Sequence, residues 1–233
     1  MKLNFLYSIV SLFTIYHFST CPFSRTARIC LKEKNQDFDL INENIWEHRE
    51  EFLRINPAGK TPVLVIDNHI IIRGIKPLIE FIEEVCKESE LIPGTPEIRA
   101  YIRYVFDWFN DKFYDEITKY ILSEKIIRLT INTGSPDSSA IRAAKKNLFY
   151  HLDYLDYLLN DNTYLCGERM TIADCAAAAQ LSILDLVNDV PWDYSIKVKR
   201  WYSLMKSRPS LNAILSDEIY GITQPRHYSD PDF

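Results

Sequence analysis

The residues best suited to covalent chemistry are Cys21-Pro22-Phe23-Ser24, which close an apolar run and open an amphipathic stretch. Pro22 fits the first turn of a helix, where a missing N–H costs little. A thiol at that helix start faces backbone N–H groups, which lower a cysteine pKa from about 8.5 toward the reactive range. Cys21 is therefore a candidate nucleophile for thiol exchange. The competing reading makes it a small, semi-buried turn residue. Ser24 stands where a C-x-x-C pair would place its second thiol, which disfavours dithiol chemistry. Five cysteines, at 21, 30, 86, 166 and 175, are odd in number and lack paired metal spacing. No metal is expected, and free thiols in a reducing compartment follow.

A second group of residues suits binding rather than catalysis. The tail over 220–233, which ends in His227-Tyr228-Ser229-Asp230-Pro231-Asp232-Phe233, carries two prolines and few signals of a buried helix. Such a tail is easily ordered on a partner, with Tyr228 and Phe233 as anchors. Asp230, Asp232 and the terminal carboxylate would steer toward a basic groove. The other reading packs the tail across its own domain. Arg49, Arg54 and Lys60 present positive charge from the first half of the chain, although isolated surface charges are commonly only solvated.

The elements that must position these residues fall in two blocks. A strand at 13–18, an amphipathic helix after Cys21, and a strand at 38–41 lead to a charged helix over 44–54. Asn56-Pro57-Ala58-Gly59 is a turn, and Pro62 must sit at a strand start because it lacks a ladder N–H. Thr61-Pro62 is a candidate cis bond. A hairpin over 63–66 and 69–72 turns at Asp67-Asn68, and Ile75, Leu78, Ile79, Ile82 and Val85 line one face of a third helix. That order describes a thioredoxin-like domain over 13–92, after an extension over 1–12 whose apolar run is reminiscent of a weak signal peptide.

Residues 93–96 form a linker, and strand alternation then stops. One helical pattern runs from Pro96 to about Leu129, Gly134-Ser135-Pro136 breaks it, and a second covers 138–160. Thr171 and Asp174 form a capping box, with the Thr171 hydroxyl accepting from the Asp174 N–H and the carboxylate accepting from the Thr171 N–H. An all-helical domain over 97–219 and a tail over 220–233 complete the division, giving an α/β plus all-α fold class.

Composition narrows the function. The chain has 233 residues, 47% of them hydrophobic and 13% aromatic, enough for two modest cores. The net charge is -5 and no basic block appears, so nucleic acid is not an expected partner. No later stretch approaches the apolar length of a membrane span, and membrane insertion is not expected.

This order resembles the glutathione transferase superfamily across nearly the whole chain. Two features carry the likeness, the Asn56 to Val63 turn with Thr61-Pro62, and the Thr171-Ile172-Ala173-Asp174 box within residues 167–179. The resemblance implies a glutathione-transferase fold in which Thr61 and Pro62 form the dock for the cysteinyl part of glutathione. It also implies a carboxylate clamp where the third helix begins, which the family usually builds from an acidic residue or Gln followed by Ser. Here Arg73-Gly74 stands in that place: the hydroxyl is missing, and a cation would repel the ammonium of a glutamyl group.

Within the superfamily, the Trp46 to Phe52 helix, Trp108 to Tyr114, His151 to Leu159 and the aromatic acidic tail look like glutathione-transferase-like bacterial cell-division proteins that bind FtsZ filaments. That likeness implies a non-enzymatic homodimer in the cytoplasm, at the bacterial division site. Its expected partners are FtsZ filaments and other division proteins, with no cofactor. Dimerisation would draw on the third helix and the long helix after Pro96. The alternative is a cysteine-type glutathione transferase or thiol transferase acting through Cys21, with glutathione as its cofactor. A structural or stress-related transferase-like protein is a third reading.

Overall fold

Alternation along Phe13–His17 (β1), where Phe13, Ile15 and His17 are buried, marks a strand with one face on a core. The computed structural model describes residues 12–219 and 221–233; the apolar run over 1–11 lies outside the described residues. Val63–Ile66 (β3) is buried at every position and lies inside the sheet. The four-stranded order is β2-β1-β3-β4, with Asp39–Asn42 (β2) parallel to β1 and Ile70–Arg73 (β4) antiparallel to β3. Asp67 and Asn68 both take positive φ (49° and 61°), as a tight hairpin turn requires.

Pro22–Glu33 (α1) and Ile75–Val85 (α3) pack against each other. Their C-terminal ends are joined by a buried ion pair, Lys34 Nζ to Glu83 at 2.7 Å. The charged helix expected over 44–54 is interrupted. A 3₁₀ turn at Ile45–Glu47 is followed by His48 at φ 47°, and the α-helix proper is only Glu50–Ile55 (α2). The left-handed His48 cannot continue a right-handed helix. Arg49 instead turns back to the buried Glu43 carboxylate at 2.6 Å.

Two compact units divide between Glu90 and Leu91. In the second, Pro96–Asp107 (α4) runs on through Trp108–Thr118, Lys119–Ile121 (α5), Leu122–Ile127 and Arg128–Ile131 (α6), ending at Asn132 with φ 53°. The long helix is thus present, but Trp108–Thr118 and Leu122–Ile127 are wound wider, with π-type hydrogen bonds. Asn110 Nδ2 donates to Phe106 O (2.9 Å), engaging a carbonyl where the winding changes. Asp137 caps Ser138–Leu158 (α7), accepting from the N–H groups of Ser139 and Ala140. Ile172–Leu186 (α8) is buried on all sides, as a helix apolar all round must be. A 3₁₀ turn at Trp192–Tyr194 precedes Ile196–Lys206 (α9) and Pro209–Leu215 (α10).

Candidate functional site

In the first unit the chain brings the candidate thiol to the candidate dock. Cys21 is the N-cap of α1, and its N–H donates to Phe18 O at 2.8 Å. Its Sγ lies 3.7 Å from Thr61 O, with the thiol side chain largely buried. The Thr61-Pro62 bond is cis, and Gly74 N–H donates to Pro62 O at 3.0 Å. Cys21, Thr61, Pro62 and Gly74 therefore meet around one corner of the unit.

Arg73 does not join them as expected. It is the last residue of β4, and its Nε donates to Ile55 O at 2.6 Å, bracing the end of α2. The cation is consequently not free at the helix start. The residues that begin α3 are Gly74 as N-cap and Ile75, with no side-chain cap and no acid in the first turn. A φ of 84° explains the glycine, since a Cβ there would meet nothing within 4 Å. Neither position offers a hydroxyl, amide or carboxylate to a glutamyl group.

The three other candidate cations of the first unit differ in their surroundings. Arg49 is committed to Glu43, Arg54 pairs with Glu50 at 3.3 Å on an open surface, and Lys60 is exposed. The exposed pair contributes little to stability.

Of the two readings of the tail, the structure shows the one that packs it across its own domain. Tyr228 has no accessible surface and sits in the core of the second unit, so it is no exposed anchor. The tail folds back around a buried ion pair, Lys206 Nζ to Asp185 at 3.2 Å. Lys206 also donates to His227 O (2.5 Å) and Asp230 O (3.3 Å), and its ammonium lies 3.6 Å from the centre of the Phe233 ring. Asp185 accepts from Trp192 Nε1 (2.8 Å) and contacts His227 Nε2 (2.9 Å). Phe233 meets the edge of Trp192 at 5.0 Å and of Tyr202 at 6.1 Å. Burial pushes the Asp185 carboxyl up and the Lys206 ammonium down, while their mutual attraction opposes both shifts. Of the expected tail contacts, Asp230 and Asp232 remain exposed, in a turn where Asp232 N–H donates to Asp230 Oδ1 at 2.9 Å.

Sequence reasoning missed Asp185, Lys206 and Trp192. A second acid near the C-terminal end of the largely apolar α8 and a lysine four residues after Tyr202 were the available signals. It did identify the structural box. Both arms are present, Asp174 Oδ2 accepting from Thr171 N–H at 2.9 Å, and Thr171 Oγ1 also accepts from Ala173 N–H at 3.3 Å. Asp174 Oδ1 accepts further from Leu165 N–H (2.9 Å) and Trp201 Nε1 (3.0 Å).

A second cluster joins α4 and its wide continuation to α7. Trp108 stacks obliquely on Tyr154 at 4.3 Å and lies 6.2 Å from Tyr150, while Tyr101, Tyr104, Tyr150 and Tyr157 are exposed along the same two helices. Beneath them Trp108 Nε1 donates to His151 Nδ1 (3.1 Å), His151 Nε2 contacts Glu116 Oε2 (2.9 Å), and Glu116 pairs with Lys112. Burial holds the His151 imidazolium below its usual range, against the pull of Glu116. Burial also works against the Glu116 carboxylate, but Lys112 and His151 hold it lower than an ordinary Glu. Among the described residues there is no cluster of three metal-binding side chains, and no helix is long and apolar enough to cross a membrane.

Comparison with known proteins matches residues 15–90 to the glutathione S-transferase N-terminal domain and residues 114–209 to its C-terminal domain. FtsZ-localized protein A of Caulobacter vibrioides is 39% identical over 94% of this chain and 98% of its own length. The solved structure of FzlA from C. crescentus has a TM-score of 0.92 at 38% identity, covering 95% of this chain and 99% of that one. A structure described as a glutathione S-transferase from Rhodospirillum rubrum F11 has a TM-score of 0.93 at 39% identity, over 95% and 100%.

Proposed function

The chain belongs to the glutathione S-transferase family, and from that premise we propose that it is a binding protein: a homodimer that associates with FtsZ filaments and regulates bacterial cell division. The observation that carries this reading is the similarity to FtsZ-localized protein A, 39% identical over 94% of the chain, against 27% for a glutathione S-transferase of Drosophila melanogaster. A site for a cytoplasmic partner fits the five free thiols. The aromatic seam of Tyr101, Tyr104, Tyr150 and Tyr157 is the surface we assign to a second copy, because so many exposed rings on two neighbouring helices mark an interaction face. Two-fold presentation gives each filament contact the avidity of a pair.

Glutathione is not required in this reading. The start of α3 has only Gly74 and Ile75 where a polar clamp would stand, and Arg73 is engaged with Ile55. Cys21 then serves as the N-cap residue packed on Thr61, not as a nucleophile. The test is complementation of a division defect in cells lacking the protein. Cys21→Ser restores division, whereas a chain shortened after Pro225 does not. Failure of Cys21→Ser beside a functional shortened chain would support the thiol transferase reading instead.

A further inference from the structure

Beneath the tyrosine face lies a chain of hydrogen bonds whose direction is fixed by chemistry. An indole N–H can only donate, so the contact of Trp108 Nε1 with His151 Nδ1 at 3.1 Å makes Nδ1 an acceptor. The imidazole is then neutral and carries its proton on Nε2, which donates to Glu116 Oε2 at 2.9 Å. His151 has no accessible surface, so neither nitrogen faces bulk water.

This tautomer matters because Trp108 is the centre of the face. Its ring lies 4.3 Å from Tyr154, 6.2 Å from Tyr150 and 6.5 Å from Tyr104. Lys112 stands 5.6 Å from the centres of the Trp108 and Tyr150 rings and pairs with Glu116. A proton added to His151 must go on Nδ1, the nitrogen that accepts from the indole. Two N–H groups then face each other, and the half-buried Trp108 ring is the part that can turn away. The new cation also competes with Lys112 for Glu116.

The charges that act on His151 are these two, both from the wide segment: Glu116 favours the imidazolium, while Lys112 and burial oppose it. In the same segment Asp111 is exposed, and Asp115 pairs with Lys119 of α5 at 3.5 Å. Of the α9 cations, Lys197 is bound to Asp156 at 3.0 Å, Lys199 and Lys206 lie over the Phe233 ring, and Arg200 is exposed.

We propose that His151 makes self-association through this face proton-sensitive: the neutral imidazole holds Trp108 in place for the second copy, and protonation releases the indole and separates the copies. The inference rests on the assignment of the tyrosine face to a second copy. Linkage gives its sign. In a dimer the covered face resists the turning of Trp108, so the proton binds more weakly there than in the monomer, and acid favours the monomer.

Sedimentation velocity of the full chain over a dilution series, at pH 7.5 and at pH 5, gives the dimer dissociation constant under each condition. The constant is expected to rise about tenfold or more on acidification, since one unit of difference in the proton affinity of His151 corresponds to a factor of ten. Gln offers one acceptor and one donor and takes no proton, so the constant of His151→Gln is expected to stay within about twofold. Trp108→Phe keeps a ring without the N–H and is expected to lose most of the response as well, whichever way Gln is accommodated at 151. A chain that is monomeric at pH 7.5 overturns the dimer assignment and the proposal with it. A dimer whose constant does not move with pH, or moves equally in His151→Gln, overturns the proposal alone.

Discussion

Replacing Lys206 by Met tests the tail hub most severely. Lys206 and Asp185 have no exposed side-chain surface, and their charged atoms are 3.2 Å apart. Met preserves most of the aliphatic stem, so the change removes the charge with little cavity. Removing one member of a buried pair costs about 3–5 kcal/mol, because the other charge is left uncompensated. Asp185 retains Trp192 Nε1 and its contact with His227 Nε2 at 2.9 Å. The loss is therefore expected near the lower bound, about 3 kcal/mol. Urea denaturation of the variant measures the loss, and amide hydrogen exchange of residues 226–233 should accelerate with it. Adding Asp185→Asn removes the orphaned charge and should recover most of the stability, a non-additivity expected of contacting residues. A loss below about 1 kcal/mol, typical of an exposed pair, or an additive double variant, would refute the claim that this pair holds the tail.

Other outcomes follow from the same geometry. Thr171→Ala removes the N-cap hydroxyl that accepts from Ala173 N–H and is expected to cost about 1 kcal/mol, read by urea denaturation. Stability should also fall on acidification. The His151 pKa is depressed in the folded state, so between its unfolded value near 6.5 and its lower folded value the unfolded chain binds the extra proton. Glu116 is likewise depressed, so its contribution is present above its ordinary carboxylate pKa and lost as pH falls through the lower folded value. Denaturation midpoints from pH 8 to pH 4 should decline in that sequence, and His151→Gln should flatten the decline that begins near pH 6.5.

Much of the fold was legible because local signals agreed with tertiary ones. The β3–β4 turn is written in Asp67-Asn68, and the α8 start is written in Thr171 and Asp174. The break at His48 was not legible: it depends on Arg49 reaching the buried Glu43, a contact that no periodicity records. The engagement of Arg73 was not legible for a related reason. A charge on Arg73 is visible in sequence, but its direction is set by an Ile55 carbonyl 18 residues earlier. Cys21 and Thr61 each sit at an element boundary marked by the following proline, and the fold brings the two together. The sequence left open whether the tail packs on its own domain, because its order comes from Lys206 and Asp185, two charges in helices that look merely apolar or amphipathic when read alone.

The central claim, filament binding without glutathione, is tested most directly by co-sedimentation of the purified chain with assembled FtsZ, alongside calorimetric titration with glutathione. The account predicts that the chain pellets with filaments, saturably and equally well with Cys21→Ser, while glutathione gives no binding heat at millimolar concentration. A chain that stays in the supernatant with filaments yet binds glutathione at micromolar concentration would contradict it.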